Sequence, residues 1–143
     1  MQQQLWRREP DSSAYRAPRT FIRVFVAPHE IEPTTRWYER LLGVDRDMIM
    51  PYPEKDLMLT AVGGFLIIAG TEAALAPFRP TSGTQLVADI EPYLRWFQAQ
   101  GAEFVEEPFV APVGRGFTVR HPDGAVIEYV HHRPQPGEAP HGS

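Results

Sequence analysis

The clearest signal along the chain is alternation. In FIRVFV (21–26) the period of two puts Phe21, Arg23 and Phe25 on one face and Ile22 and Val24 on the other, as a half-buried strand requires. Similar short runs predict strands at about 44–48, 57–62 and 65–69, and again at 84–88, 103–106, 117–120 and 125–130. Between them lie two segments with helical spacing, 33–42 and 92–100. Each opens with a proline in its first turn, Pro33 or Pro92, where the missing N–H costs nothing. Each stops at a glycine, Gly43 or Gly101, as a left-handed cap would. Trp37, Tyr38, Leu41 and Leu42 form one apolar stripe, and Tyr93, Leu94, Trp96 and Phe97 the other. Gly63 and Gly64 close one hairpin, and Pro122, Asp123 and Gly124 another.

The pattern occurs twice. Residues 31–38 read IEPTTRWY and residues 90–97 read IEPYLRWF, with five identities in eight positions. The flanking strands match at nearly the same spacing, FIRVFVA with SGTQLVA and GGFLIIAG with DGAVIEYV. The body is therefore two related halves, about 20–77 and 81–133, each ordered βαβββ. The expected fold class is α+β: two βαβββ repeats in a curved, cup-shaped mixed sheet with the helices on its outer face. The uncovered inner faces make a cup, and a ligand belongs there.

Composition removes several functions. With no cysteine, a disulfide scaffold, a thiolate zinc site and a cysteine nucleophile are excluded. The net charge is −4, and the basic residues are scattered, which argues against a nucleic-acid partner. No run approaches the ~20 apolar residues of a membrane span. No apolar leader precedes the body, so the expected location is the cytoplasm. Residues 1–18 read as a loose arm docking through Leu5 and Trp6, and 134–143 as a disordered tail. His131, His132 and His141, near or in that tail, suggest adventitious metal binding at most.

Parity nominates the cup. Phe21, Arg23 and Phe25 face it from the first strand, Leu66 and Ile68 from the last strand of the first half, and Thr84 and Leu86 from the first strand of the second. Glu128 points opposite Ile127 and Tyr129. Arg23 and Glu128 have two compatible readings: an internal ion pair, or groups that contact a ligand, with Glu128 as general base. His29 and Glu30 read as solvated loop residues, and His121 as part of its turn. Gly114, Arg115 and Gly116 are too short a run for a phosphate loop, and 45–56 reads as a strand and flexible rim.

TRWYERLLGV (35–44), VADIEPYLRWFQAQGAEFVEEP (87–108) and GRGFTVRHPDGAVIEYV (114–130) resemble the vicinal oxygen chelate superfamily, the glyoxalase/bleomycin-resistance/dioxygenase fold. Metal-dependent members of that superfamily carry four ligands, on the first and last strands of each half. Transferred by position, those ligands fall on Phe21, Ile68, Ser82 and Glu128, and a two-residue slip exchanges Phe21 and Ser82 for Arg23 and Thr84. Only Glu128 suits a metal, so the resemblance implies a member without metal or other cofactor. It implies a homodimer that holds a flat or amphipathic organic ligand, such as a natural product or antibiotic, among aromatic walls. The alternative is an enzyme on the same scaffold: an isomerase, cyclase, lyase or metal-dependent dioxygenase-like protein. There Glu128 is acid, base or ligand and Arg23 stabilises negative charge. A regulatory module with an empty cup is the third reading.

Overall fold

A computed structural model describes residues 4–138. The chain forms one nine-stranded mixed sheet. Its strands are β1 (Trp6–Arg7), β2 (Arg19–Val26), β3 (Met48–Tyr52), β4 (Leu57–Val62), β5 (Phe65–Ala69), β6 (Gly83–Leu86), β7 (Glu103–Ala111), β8 (Gly114–Arg120) and β9 (Val126–His132). The helices are α1 (Ile31–Leu42), a short α2 (Glu72–Leu75) and α3 (Ile90–Ala99). The spatial order β1-β3-β4-β5-β2-β6-β9-β8-β7 places the halves side by side. Each half joins its first and last strands in parallel, β2 with β5 and β6 with β9, and the halves meet where β2 runs antiparallel to β6. The α+β half-barrel with duplicated βαβββ units is thus the fold that the repeat implied.

Local signals hold where geometry demands them. Gly43 and Gly101 adopt φ of 69° and 70° at equivalent helix ends, the left-handed conformation in which glycine avoids a Cβ clash. The Asp89 carboxylate caps α3 by accepting the Glu91 N–H at 2.9 Å. Gly114 and Gly116 are needed for close approach: a Cβ on either would collide with the β9 carbonyl of His131 or Tyr129.

Other expectations are corrected. The strand expected at 44–48 begins only at Met48, because Arg46 is held back toward α1 by Glu32 and Glu39. Of the stripe on α1, Trp37, Leu41 and Leu42 are exposed, and Thr35 is the helix's buried residue, sharing a 2.8 Å hydrogen bond with Thr60. Trp96 is likewise exposed, whereas Ile90, Leu94 and Phe97 carry the buried face of α3. Ile22, expected beneath a helix, is 56% exposed, because α1 covers β4 and β5 while α3 covers β8 and β9.

The described parts of both ends make specific contacts. Trp6 and Arg7 pair with β3 as β1, and Leu5 and Tyr15 pack on the cup's core. The Arg7 side chain is buried and donates to Glu138 at 2.6 and 2.8 Å and to the carbonyl of Arg133 at 2.9 Å. Residues 134–138, expected as the start of a disordered tail, are thereby tied to the opposite terminus. His131 and His132, expected near that tail, are buried on β9, and His141 lies outside the described residues.

Candidate functional site

The concave face of the sheet encloses a cavity of about 190 Å³. Strand alternation builds its two sides differently. From the first half, Met48 and Met50 on β3, Leu57 and Leu59 on β4, and Leu66 and Ile68 on β5 form an apolar wall. The second half contributes Thr84 on β6, Glu106 on β7 and Glu128 on β9. The buried Thr118 on β8 links them laterally: its backbone is in register with Glu128, and its hydroxyl donates to Glu106 Oε1 at 2.6 Å.

Arg23 stands at the seam between the halves. Its Nε donates to Thr84 Oγ1 at 3.1 Å and its Nη2 to Glu128 Oε1 at 3.0 Å. Thr84 Oγ1 in turn donates to the same carboxylate oxygen at 3.0 Å. The three side chains therefore lock one another. The Arg23 side chain is only 5% exposed and that of Glu128 17%, so the pair sits in a medium where breaking it leaves an uncompensated charge. Two groups remain uncommitted. Arg23 Nη1 and Glu128 Oε2 have no partner among the described residues, and no buried side-chain nitrogen or oxygen is sealed away unsatisfied. Each therefore keeps contact with accessible space, one a donor and the other an acceptor, and both residues line the cavity.

Two further residues set the electrostatics of the rim. Burial, reinforced by the charges of Glu128, Glu54 and Glu106, raises the Tyr52 phenol above its ordinary value, so it remains an O–H donor. Lys55, the chain's only lysine, lines the same opening. At the far end, His132 lines both the cup and a small neighbouring cavity bounded by Arg7, Arg19 and Asp47. Burial, with the charges of Arg7 and Arg19 behind it, lowers the His132 imidazole to about 3, so it is neutral at ordinary pH.

Six nominated residues line the cavity: Phe21, Arg23, Leu66, Ile68, Thr84 and Glu128. Two do not. Phe25 lies toward the strand end under the Arg79 guanidinium, 5.4 Å from its ring centre. Leu86 packs deeper, beside Arg7, Tyr15 and Phe21 beneath the amino-terminal segment. Parity could not separate these positions, because the cup is shorter than the strands that form it. Among the lining residues missed are Met48, Met50, Tyr52, Glu106, Phe109 and His132. For Glu106 parity points the wrong way: two residues from Phe104, which packs on the outer cluster, it should face outward, but β7 slips register between Phe104 and Glu106 and again before Phe109. The slips re-aim the strand in a way that parity does not foresee.

The comparison with family models matches residues 20–129 to the Glyoxalase/Bleomycin resistance protein/Dioxygenase superfamily. The chain belongs to that superfamily. Among solved structures, an uncharacterized protein from Methanosarcina mazei is 37% identical, with a TM-score of 0.74 over 82% of this chain and 94% of its own. Methylmalonyl-CoA epimerase from Mycobacterium tuberculosis is 21% identical, with a TM-score of 0.61 over 82% and 89%. The Streptomyces coelicolor epimerase in complex with 2-nitronate-propionyl-CoA is 15% identical, with a TM-score of 0.57 over 82% and 100%. The likeness to the epimerases is one of fold. A comparison with curated proteins finds no match.

The superfamily's metal chemistry can be tested against this cup. The structure favours the slipped assignment of the ligand positions: Arg23 and Thr84 adjoin Glu128, whereas Ser82 bonds the backbone of Val126. β2 aligns Arg23 with Leu66 where β6 aligns Thr84 with Glu128, so the first half offers Leu66 or Ile68 in place of a second carboxylate. Among the described residues no three His, Cys, Asp or Glu side chains are grouped to hold a metal ion. Glu128, the one carboxylate at the transferred ligand positions, is already engaged by a guanidinium and a hydroxyl, and a guanidinium is no ligand for a divalent cation. No helix among those residues is long and apolar enough to cross a membrane.

Proposed function

We propose that the cup binds a small amphipathic organic compound without a metal ion, seating an anionic or carbonyl oxygen at Arg23. The observation that carries this reading is the uncommitted Nη1 of the largely buried Arg23, a residue lining a cavity whose opposite wall is apolar. The guanidinium supplies the positive charge that a metal would otherwise supply, and Glu128 and Thr84 hold it in place. Lys55 at the opening favours entry of an anion. A cavity of ~150 Å³ accepts benzene, so this one suits a substituted ring or a short branched chain. A natural product or antibiotic of that size remains within the class, and the same reading takes the protein as a cytoplasmic homodimer.

The test is calorimetric titration of a panel of aromatic and branched carboxylates and their neutral amides, alongside thermal unfolding. A ligand at ~100 times its Kd stabilises the protein by about 2.7 kcal/mol. Binding should favour the carboxylates, persist in chelator, and be lost in Arg23→Met. Binding that requires an added divalent ion would overturn the proposal.

A second reading has one observation in its favour, the free Glu128 Oε2 beside the Arg23 donor. A carbonyl oxygen held at Arg23 would place the adjacent carbon near that carboxylate, the arrangement for proton abstraction. The superfamily scaffold is compatible with such an enzyme. Glu128→Gln separates the two readings. A binding protein keeps most of its affinity; an enzyme binds its ligand but no longer catalyses deuterium incorporation next to the carbonyl.

A further inference from the structure

His132 has no role in the account given so far, and its surroundings leave it unfinished. It is 6% exposed, yet neither ring nitrogen has a hydrogen-bond partner among the described residues. Among the described residues no buried side-chain nitrogen or oxygen is sealed without a partner, so both nitrogens stay within reach of a water or a ligand, and the residue lines the cup and the small cavity beside it. A ligand group that bonds to the imidazole takes the place of water there and gains one net hydrogen bond when its geometry is the better.

Its position relative to the first anchor is fixed by β9. Glu128, Val130 and His132 share one face of the strand, and all three line the cup. Four residues at about 3.3 Å each separate the two ends by ~13 Å. Val130, 5% exposed, and the ring of Phe21 lie between them as apolar cover.

The charges around His132 define what can sit there. Arg7 is paired with Glu138, and Arg19 is paired with Asp47 at 2.7 Å and lies 4.6 Å from the centre of the Phe21 ring. Those cations are already balanced, so the end of the cup does not call for a second anion. A neutral imidazole offers one donor and one acceptor, which a hydroxyl or amide matches in both directions.

We propose that His132 is a second binding anchor, so that the cup takes an elongated ligand with an anionic or carbonyl oxygen at the Arg23 end and a hydroxyl or amide at the other. This rests on the reading of the cup as a binding site and adds the ligand's length and polarity to it. A single ordered water is the rival occupant, since the neighbouring cavity of about 10 Å³ is near the size of one.

The test compares 8-hydroxyoctanoate with nonanoate, which differ by a terminal hydroxyl in place of a methyl group and have equal numbers of heavy atoms. Titrated into the unaltered protein, the hydroxy acid should bind about fivefold tighter, as one net hydrogen bond implies. That preference should vanish in His132→Phe and return in part in His132→Gln, while Arg23→Met weakens both acids alike. Should His132→Phe fail to fold, the comparison on unaltered protein decides. Equal affinities, or tighter binding of nonanoate, overturn the second anchor while leaving the cup reading intact, with water as the occupant. If neither acid binds while a carboxylate of the aromatic and branched panel does, the elongated ligand is overturned and the cup reading stands; if none of them binds, both fall.

Discussion

The two halves share a topology and a helix motif but differ in what they place on the inner face. In the first half the apolar side chains of β3, β4 and β5 look inward to the cup, while α1 lies outside over the buried Val62 and Ile67. Its buried residue is Thr35, its ring contact is Tyr38 on Phe65 at 4.4 Å, and Arg46 latches it through Glu32 and Glu39. The second half mixes polarity there. Its inner face sets Thr84, Glu106, Thr118 and Glu128 beside Leu86, Val113 and Val130, while outside Ile90, Leu94 and Phe97 of α3 pack on Phe117, Val119 and Tyr129. The lesson is that one duplicated unit can seat its helix on an aromatic cluster in one copy and add an ionic latch in the other, while its inner surface changes from apolar to partly polar.

Deleting side chains from the two apolar faces should sharpen this contrast. Phe117, fully buried under α3, should cost about 3–5 kcal/mol on replacement by alanine. Ile68→Ala should cost about 2 kcal/mol, the low end for a buried aliphatic, because Ile68 already borders a cavity. Denaturant unfolding measures both, and equal costs would erase the distinction between packed core and open wall.

The seam comes next. Arg23→Met or Glu128→Leu alone should destabilise by about 2–4 kcal/mol, since each leaves its partner's charge uncompensated. The double replacement should cost less than either single one. Additive costs in the double-mutant cycle would mean that the pair is not coupled.

The latch should give the smallest effect and the one most dependent on pH. Arg46 holds the Glu32 and Glu39 carboxyls below their ordinary 4.5, chiefly by hydrogen bonding. Because the folded values are depressed, this stabilisation is fully present above about 4.5 and is lost as pH falls through the folded values. Arg46→Met should therefore unfold at a lower temperature than the unaltered protein at pH 7, and the gap should close in acid. A gap that persists at pH 2 would assign Arg46 a packing role instead. Among the described residues α3 has the exposed Arg115–Glu91 pair and no such cluster, so α3 variants should show a smaller pH dependence.

Much of this arrangement is legible in the residues. IEP and RW at matched spacing, with Gly43 and Gly101 behind them, give the duplication and the helix ends, because proline and left-handed glycine constrain the backbone locally. Alternation alone brings Phe21, Arg23, Leu66, Ile68, Thr84 and Glu128 to one surface. The misreadings have a common cause. Arg7 and Ser12 sit in a segment that looks like a loose arm, yet Arg7 is buried by Glu138 from the far end of the chain, and Ser12 Oγ donates to the carbonyl of Val87 at 2.7 Å. Partners more than 70 residues away leave no local trace.

By itself the sequence determined the periodicities, the repeat, the absence of thiol chemistry and the parity of each cup-facing side chain, all of which follow from backbone geometry over a few residues. Tertiary structure decided which of those side chains meet. The register of β2 on β6 and of β6 on β9 set Arg23 against Thr84 and Glu128, the slips in β7 turned Glu106 inward, and the packing of the amino-terminal segment beside β9 left the His132 ring at the end of the cup with no hydrogen-bond partner among the described residues. Those outcomes depend on how strands from distant parts of the chain align, and a shift of one residue would have sent each of these side chains to the opposite face.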